Sequence, residues 1–234
     1  MKSIGDSVGL ANAQHATLMD RMYRHQRHIY DITRKYYLLG RDRTIERLDV
    51  PHGGSLLEVG CGTGRNLLLA ARHFPLAKLY GLDISAEMLS TAAENFAGKV
   101  ARPTLRVSDA TTFRLGEFGR SEGFDRIMIS YAISMIPEWE KAVERALLSL
   151  APGGSLHIVD FGQQEHLPVW FRSLLQAWLT KFHVTPRANL RYVLETLAGS
   201  HNASLEFEPL ARGYAWRAVL TMPRICESRL TAHE

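Results

Sequence analysis

The stretch LLEVGCGTGRN, residues 56–66, joins a short apolar run to a turn with three glycines and then to the start of a helical pattern. Gly60, Gly62 and Gly64 allow the backbone to turn sharply and to approach a ligand without interference from Cβ atoms. A helix that begins near Arg65 would direct its free N–H groups toward whatever lies above the turn. The stretch therefore predicts a strand, a ligand-binding turn and a helix.

The rest of the chain alternates short β-rich runs with segments that have helical spacing of Leu, Ala and charged residues. Such alternation is typical of βαβ units and of a parallel sheet covered on both faces. The runs SLEFEP and YAWRAVLTM are joined by PLARG and predict a terminal antiparallel hairpin. We therefore expect an α/β fold with a seven-stranded sheet, whose first five strands are SLLEV, AKLYGLD, TLRVSD, FDRIMISYA and GSLHIVDF.

The organisation of the chain is that of one domain with an appendage. We predict an N-terminal basic amphipathic helix within residues 1–40 and a single domain over residues 41–234. A helical insertion is expected at 166–198, where Trp170, Phe171 and Trp178 are found. These aromatic side chains could line a channel for acyl chains or pack on the sheet.

The composition, with 46% hydrophobic and 22% charged residues, is that of a globular protein. The net charge of +4 arises within residues 14–47, which hold eight Lys/Arg and four Asp/Glu, so the other residues sum to zero. A local basic surface suits anions, either phosphates of a nucleic acid or headgroups of a membrane. The sequence has only two cysteines, which is typical of a protein in the reducing cytoplasm. It also has no apolar run that approaches the ~20 residues of a membrane-spanning helix. A cytoplasmic protein is therefore expected.

The spacing of the glycines distinguishes between two kinds of cofactor. A dinucleotide-binding turn requires G-x-G-x-x-G, whereas the sixth position here is Arg65. The spacing Glu58-x-Gly60-x-Gly62-x-Gly64 resembles motif I of class I S-adenosylmethionine (AdoMet) methyltransferases, which have a Rossmann-like fold. GLD at 81–83, SDAT at 108–111 and the run LAPGGSLHIVDF follow in the order of that family.

The resemblance implies an enzyme with AdoMet as its cofactor. Asp83 is expected to bind both ribose hydroxyls, while Ile84 and Met88 enclose the adenine, although Met88 could equally fill the core. Asp109 is expected to accept from the adenine amino group, unless it is a helix N-cap. Arg41 is expected to reach the AdoMet carboxylate. The predicted cofactor-binding residues are Arg41, Glu58, Gly60, Cys61, Gly62, Gly64, Asp83, Ile84, Met88, Asp109, Ala110 and Ser130.

The segment YRHQRHIYDITRKYY, residues 23–37, is both basic and rich in tyrosine. As part of a helix over 17–39, it would present apolar side chains on one face and Arg and Lys on the other, with tyrosines along the border. Such a helix can lie in a lipid interface. A helix that covers the cofactor site and leaves a basic face in solvent would show the same pattern.

This segment, together with SYAISMIPEW, HVTPR and RGYAW, resembles the bacterial betaine-lipid N-methyltransferases. These enzymes trimethylate the homoserine amine of diacylglyceryl-homoserine to give diacylglyceryl-trimethylhomoserine. The resemblance implies a lipid headgroup as substrate and reversible association with the anionic inner face of the membrane. Another amine such as phosphatidylethanolamine, or a quinone precursor, is the alternative, and an RNA-binding methyltransferase is the least favoured.

A trimethylated amine is a quaternary ammonium ion, which suits contact with aromatic faces. The predicted catalytic residues are Tyr30, Tyr36, Tyr37 and Tyr131, with Trp139 and Trp216 as further aromatic candidates. The arginines considered for a substrate carboxylate are Arg34, Arg187 and Arg212. No metal is expected, because His25 and His28 alone make a poor ligand set.

Overall fold

A computed structural model of the chain describes residues 38–182 and 184–224. The elements in chain order are α1 Arg41–Glu46, β1 Ser55–Val59, α2 Arg65–His73, β2 Lys78–Asp83, α3 Ala86–Asn95, β3 Thr104–Val107, a 3-10 turn Leu115–Phe118, β4 Phe124–Ser130, α4 Trp139–Leu148, β5 Leu150–Phe161, α5 Val169–Lys181, α6 Leu190–Ser200, β6 Ser204–Leu210 and β7 Ala215–Thr221. Strands and helices therefore alternate from β1 to β3 and again from β4 to α5.

The seven strands form one sheet in the order β3-β2-β1-β4-β5-β7-β6. Strands β1 to β5 pair in parallel, whereas β7 pairs antiparallel with both β5 and β6. The predicted α/β fold with a terminal antiparallel hairpin is confirmed. The strand order reverses between β1 and β4, and ligands of open α/β sheets bind at the carboxyl ends of the strands at such a switch point.

The sheet is covered on both faces, which explains why its central strands are largely buried. Every residue of β1 is buried. On one face, Val143 and Leu147 of α4 and Leu194 of α6 pack in a single core cluster. On the other face, Leu67 of α2 lies in a second cluster that also includes Ile45 of α1. Burial of this apolar surface is the main favourable term in folding.

The predicted helix over 17–39 is wrong at its carboxyl end. Leu38 and Leu39 lie outside any helix, and Gly40 turns the chain with a φ of 79° before α1 begins. Leu38 is buried in a third cluster, with Tyr131. The chain therefore enters α1 through a non-helical segment at residues 38–40.

Three groups of residues lie outside the described ranges: 1–37, His183 and 225–234. The predicted basic amphipathic helix therefore lies outside them, apart from its last two residues. The same holds for Arg34 and for the predicted catalytic residues Tyr30, Tyr36 and Tyr37.

In the part of the chain that the structure describes, no helix combines the length and the apolar character needed to cross a membrane.

A histidine is buried within the sheet. His157 lies on β5 with 4% of its surface exposed, and its Nε2 is 2.8 Å from Ser155 Oγ. Burial, with smaller contributions from Arg217 and Arg126, lowers the pKa of His157 from 6.5 to about 3. The imidazole is therefore neutral in the folded protein at neutral pH.

We predict that His157 makes the protein acid-sensitive. Because its pKa is lower in the folded state, the unfolded state takes up the proton first, and the free energy of unfolding falls as pH decreases from about 6.5 toward about 3. The loss between pH 6.5 and 4.5 should be ~2 kcal/mol. Urea unfolding at these two pH values should show a smaller loss in His157→Gln. The exposed His52, changed to Gln, is the matched control, and an equal loss in both variants would contradict the assignment.

Candidate active site

The glycine turn between β1 and α2 is held against the end of β2. The backbone N–H groups of Gly60 and Cys61 both donate to the Leu82 carbonyl, each at 2.9 Å. Gly60 has a φ of 71°, and a Cβ at this position would lie 2.8 Å from the Cβ of Ala132. Glycine is therefore required for both the turn and its close approach to the segment after β4.

Asp83, the last residue of β2, is fixed beside this turn. Its Oδ2 accepts from Gly62 N at 2.8 Å, and its Oδ1 accepts from Ser85 N at 3.0 Å. Ser85 Oγ in turn accepts from Met88 N at 3.2 Å and so caps α3. Met88 is buried and Ile84 is half-buried at the start of this helix. These hydrogen bonds hold the carboxylate at the carboxyl edge of the sheet.

The glycine turn leaves room for a ligand next to this carboxylate. A Cβ at Gly62 would have no atom within 4 Å, although the Gly62 N–H is bonded to Asp83. Open space over a glycine turn, with a carboxylate at its edge, fits a cofactor that carries a ribose. The local chemistry therefore agrees with AdoMet.

Arg41 lies beside the same turn. It is the first residue of α1 and is 3% exposed, with Nε 3.1 Å from Asp42 Oδ1. Arg65, the first residue of α2, reaches the same oxygen with Nη1 at 3.5 Å. Two guanidinium groups thus converge on Asp42 where α2 begins, and the predicted contact of Arg41 with the AdoMet carboxylate stays a prediction.

Glu58 and Cys61 are buried next to the glycine turn. Glu58 is buried on β1 and accepts from Asn66 Nδ2 at 2.7 Å, which links the strand to α2. Burial raises the pKa of the Cys61 thiol well above its usual value, and the charges of Asp83 and Glu58 raise it further. The thiol is therefore protonated at neutral pH, and this excludes a thiolate nucleophile.

The segment after β3 forms a tight turn around Asp109. Its Oδ1 accepts from both the N–H and the hydroxyl of Thr111, each at 2.7 Å. No helix begins at this turn, so the helix N-cap interpretation of Asp109 is wrong, and its predicted contact with adenine stays a prediction. Ala110 is half-buried against the core, and Ser130 is buried at the end of β4.

Tyr131 follows directly after β4 in an uncommon backbone conformation. Its φ is 53°, and its hydroxyl donates to the Leu39 carbonyl at 2.6 Å. Its ring packs edge-on against Phe161, with centroids 4.7 Å apart. Burial raises the pKa of Tyr131 well above 10, with smaller contributions from Asp160 and Tyr214. The hydroxyl is thus a donor at neutral pH and not a base, and it ties the entry of the N-terminal segment to the end of β4.

Asp160 was not predicted from the sequence. It is 2% exposed near the end of β5, where Oδ1 accepts from Phe161 N at 2.7 Å and Oδ2 accepts from Ser134 N at 3.1 Å. Burial raises its pKa from 3.8 to about 6, although the backbone hydrogen bonds oppose this shift. The available signal was a carboxylate within the apolar run HIVDF, at the edge where the cofactor site was expected.

Arg187 supports the same loop. Its Nη2 donates to the Ile136 carbonyl at 2.7 Å and its Nε to the Ile133 carbonyl at 3.2 Å. The guanidinium therefore binds protein backbone, which disfavours its predicted contact with a substrate carboxylate. The loop over 131–136 is held from three sides by Asp160, Arg187 and the Tyr131 hydroxyl.

The other aromatic candidates lie deeper in the domain. Trp139 is 5% exposed and Trp216 is 7% exposed, and both belong to the main core cluster. Trp216 also packs against Phe207, with ring centroids 5.5 Å apart. Both tryptophans are therefore core residues, and their packing is sufficient to explain their positions. Arg212 has a φ of 59° and is exposed on the turn between β6 and β7.

Comparison with known proteins agrees with this geometry. Residues 56–154, from β1 into β5, match a family model described as a methyltransferase domain. These residues are therefore similar to a methyltransferase domain. The prediction of an AdoMet-type methyltransferase is thereby confirmed for this domain, while the individual site residues stay predictions.

Similar proteins act on several kinds of substrate. The chain is 31% identical over 114 residues to trans-aconitate 2-methyltransferase of Variovorax paradoxus, covering 49% of this chain and 41% of that protein. It is 30% identical over 131 residues to phosphatidylethanolamine N-methyltransferase of Cereibacter sphaeroides, covering 55% of this chain and 61% of that protein. The chain thus spans about half the length of the curated relatives it matches.

A solved structure reproduces the fold over nearly the whole chain. The plantazolicin methyltransferase BpumL, in complex with a triazolic desmethylPZN analog and SAH, has a TM-score of 0.67 at 14% identity. The alignment covers 94% of this chain and all of that one. The methyltransferase domain therefore has the class I methyltransferase fold.

Among residues 38–182 and 184–224, no group of three or more His, Cys, Asp or Glu side chains is arranged to hold a metal ion.

We predict that Asp83→Asn weakens AdoMet binding about 100-fold, because hydrogen bonds to a charged group contribute ~1.5–3 kcal/mol. Isothermal titration with AdoMet would measure the change. Asp49→Asn, at an exposed loop position, is the control and should bind normally. Unchanged affinity in Asp83→Asn would place the ribose elsewhere.

We also predict that Tyr131→Phe lowers the free energy of unfolding by ~1 kcal/mol, because the Leu39 carbonyl loses its donor. Tyr192→Phe is the matched control, since Tyr192 is 71% exposed. Chemical denaturation would measure both variants. Equal stability of the two would show that the bond to Leu39 contributes nothing.

Proposed function

We propose that the protein is an AdoMet-dependent N-methyltransferase that trimethylates the homoserine amine of diacylglyceryl-homoserine. The observation that carries the reaction type is the carboxylate of Asp83 beside the open glycine turn, within a domain that matches methyltransferases. The substrate is supported by the resemblance of the N-terminal segment and of SYAISMIPEW to the betaine-lipid enzymes. The likeness to a phosphatidylethanolamine N-methyltransferase also favours a lipid amine.

In this proposal the cofactor lies across the carboxyl ends of β1 and β2. Asp83 holds the ribose, Ile84 and Met88 border the adenine, and Arg41 binds the carboxylate. Bound AdoMet supplies an electrophilic methyl group. The glycine turn allows the backbone to lie close to the cofactor, and the buried Cys61 stays protonated and does not compete as a nucleophile.

The residues after β4 and β5 shape the other side of the site. Asp160 and Arg187 fix the loop over 131–136, and Tyr131 keeps its ring at the strand end while its hydroxyl is tied to Leu39. Because Asp160 is buried and accepts two backbone hydrogen bonds, it positions the loop and does not reach the amine. The substrate amine loses its proton to solvent, at a cost of ~1–5 kcal/mol at neutral pH. This cost is small beside the ~8–23 kcal/mol that enzymes supply, so alignment can carry most of the catalysis.

In this proposal, aromatic residues matter most for the third methyl transfer. Its product is a quaternary ammonium that donates no hydrogen bond and is stabilised by aromatic faces. We assign this role to Tyr30, Tyr36 and Tyr37 of the N-terminal segment, which joins the domain at the Tyr131–Leu39 hydrogen bond. The basic residues of that segment would attract the enzyme to the anionic inner face of the membrane.

Methylation of a small soluble molecule is the second candidate. The likeness to a trans-aconitate 2-methyltransferase, at 31% identity, favours it. A soluble substrate would need no membrane, so the two proposals differ in whether the acceptor carries acyl chains.

Mass spectrometry tests the proposal directly. We expect the purified full chain, incubated with AdoMet and diacylglyceryl-homoserine in mixed micelles, to add one, two and then three methyl groups to the lipid. Asp83→Asn, assayed alongside, should show little product. An unchanged lipid mass, with AdoMet binding intact, would reject this substrate, and phosphatidylethanolamine, a quinone precursor and RNA would be tested next.

A further inference from the structure

Helix α5 exposes an apolar surface that the rest of the domain does not cover. Val169 is 69% exposed, Trp170 71% and Leu174 64%. Trp170 and Leu174 are four residues apart, so they lie on the same side of the helix, one turn from each other. We call these three residues the outer face of α5.

The opposite side of α5 is also apolar. Leu175 and Leu179 are buried in the cluster that contains Leu38, Tyr131 and Phe161. The helix is therefore apolar on two sides, a pattern typical of helices that are covered on both. Its inner side packs against the residues that follow β4 and β5 at the candidate active site.

Other surface helices of the domain follow the usual pattern. Helix α4 presents Glu140, Lys141 and Glu144 to solvent. Helix α6 presents an ion pair between Arg191 and Glu195, at 2.8 Å. An apolar outer face is thus a specific property of α5 and not of the surface helices in general.

The charges of α5 indicate what kind of partner would cover it. The sequence VWFRSLLQAWLTK contains Arg172 and Lys181 and no acidic residue. Tryptophan is enriched where proteins meet the headgroup region of a bilayer, because its ring is apolar and its N–H is polar. Cationic side chains beside an apolar surface are typical of helices that lie in an anionic lipid interface.

We propose that the outer face of α5 inserts into the interface of a phospholipid bilayer that contains anionic lipid. This inference rests on the proposed function, in which the substrate is a lipid, and it adds a membrane contact separate from the N-terminal segment. The inserted helix would hold the bilayer against the active-site side of the domain. A lipid headgroup would then reach the site without its acyl chains leaving the membrane.

Vesicle binding of the full chain tests the inference without AdoMet or any amine substrate. The probe is co-sedimentation with vesicles of phosphatidylcholine and phosphatidylglycerol. We expect the double variant Trp170→Ser, Leu174→Ser to lose about tenfold or more in affinity, since tenfold corresponds to only ~1.4 kcal/mol. Tyr192→Ser on α6 is the matched control, because Tyr192 is equally exposed, and it should bind as the unchanged protein does.

A second measurement locates the contact. Brominated phospholipids should quench the tryptophan fluorescence of the unchanged protein, and Trp170→Phe should lose most of this quenching while it keeps its affinity for vesicles. Trp139 and Trp216 are buried in the core, and Trp178 is half-buried against Phe182, so all three should contribute less to it than the exposed Trp170. Circular dichroism of each variant verifies that the fold is intact.

Three outcomes would overturn the inference. One is vesicle binding that the double variant leaves unchanged. Another is the absence of vesicle binding altogether. The third is a dimer of the unchanged protein that the double variant converts to a monomer, which would make a second copy of the chain the partner of α5.

The inference and the proposed function fail independently. If the lipid is methylated but the double variant binds vesicles normally, α5 is not the contact and the function stands. If α5 binds vesicles but no lipid amine is methylated, the membrane contact stands and the substrate is wrong.

Discussion

The hydrogen bonds between the glycine turn and the end of β2 are the interaction on which the site depends. Gly60 and Cys61 donate to the Leu82 carbonyl, and Gly62 donates to the Asp83 carboxylate. Together they place a carboxylate beside a turn with no side chain above it. Because β1 and β4 are neighbours in the sheet, the same turn lies against Ala132, with no room for a Cβ at Gly60. One local arrangement therefore sets both the cofactor side and the substrate side of the site.

The part of the candidate site that follows β4 and β5 consists of contacts that hold a loop in place. Asp160 and Arg187 both bind backbone of the loop over 131–136. Tyr131, at the start of this loop, is protonated at neutral pH and donates to Leu39. Such a site suits a transfer in which alignment of the reacting atoms matters more than proton abstraction. Methyl transfer to an amine has this character.

One apolar cluster connects Leu38 with the residues at the ends of β4 and β5 and with helix α5. Leu38, Tyr131, Phe161 and Leu175 pack together in it. A change at the outer face of α5, or in the segment before Leu38, would therefore reach the loop after β4 through packed side chains. If the lipid proposal holds, the parts of the chain that meet the membrane are also those that shape the substrate side of the site. The membrane would then act on the same cluster as the substrate.

The sequence by itself predicted the α/β class with its terminal hairpin, because these depend on strand periodicity, and its resemblance to methyltransferases indicated the reaction type and the glycine turn with Asp83. It did not reveal Asp160 as a support of the loop, the bond from Tyr131 to Leu39, or the non-helical conformation of Leu38 and Leu39 before the turn at Gly40. Tyr131 and Leu39 are 92 positions apart, and Asp160 and Ser134 are 26 apart. Such contacts form only when the register of the sheet and the packing of the core bring distant segments together. The exposed face of α5 has the same origin, since its apolar pattern could be assigned to core or surface only once the tertiary structure showed which side was covered.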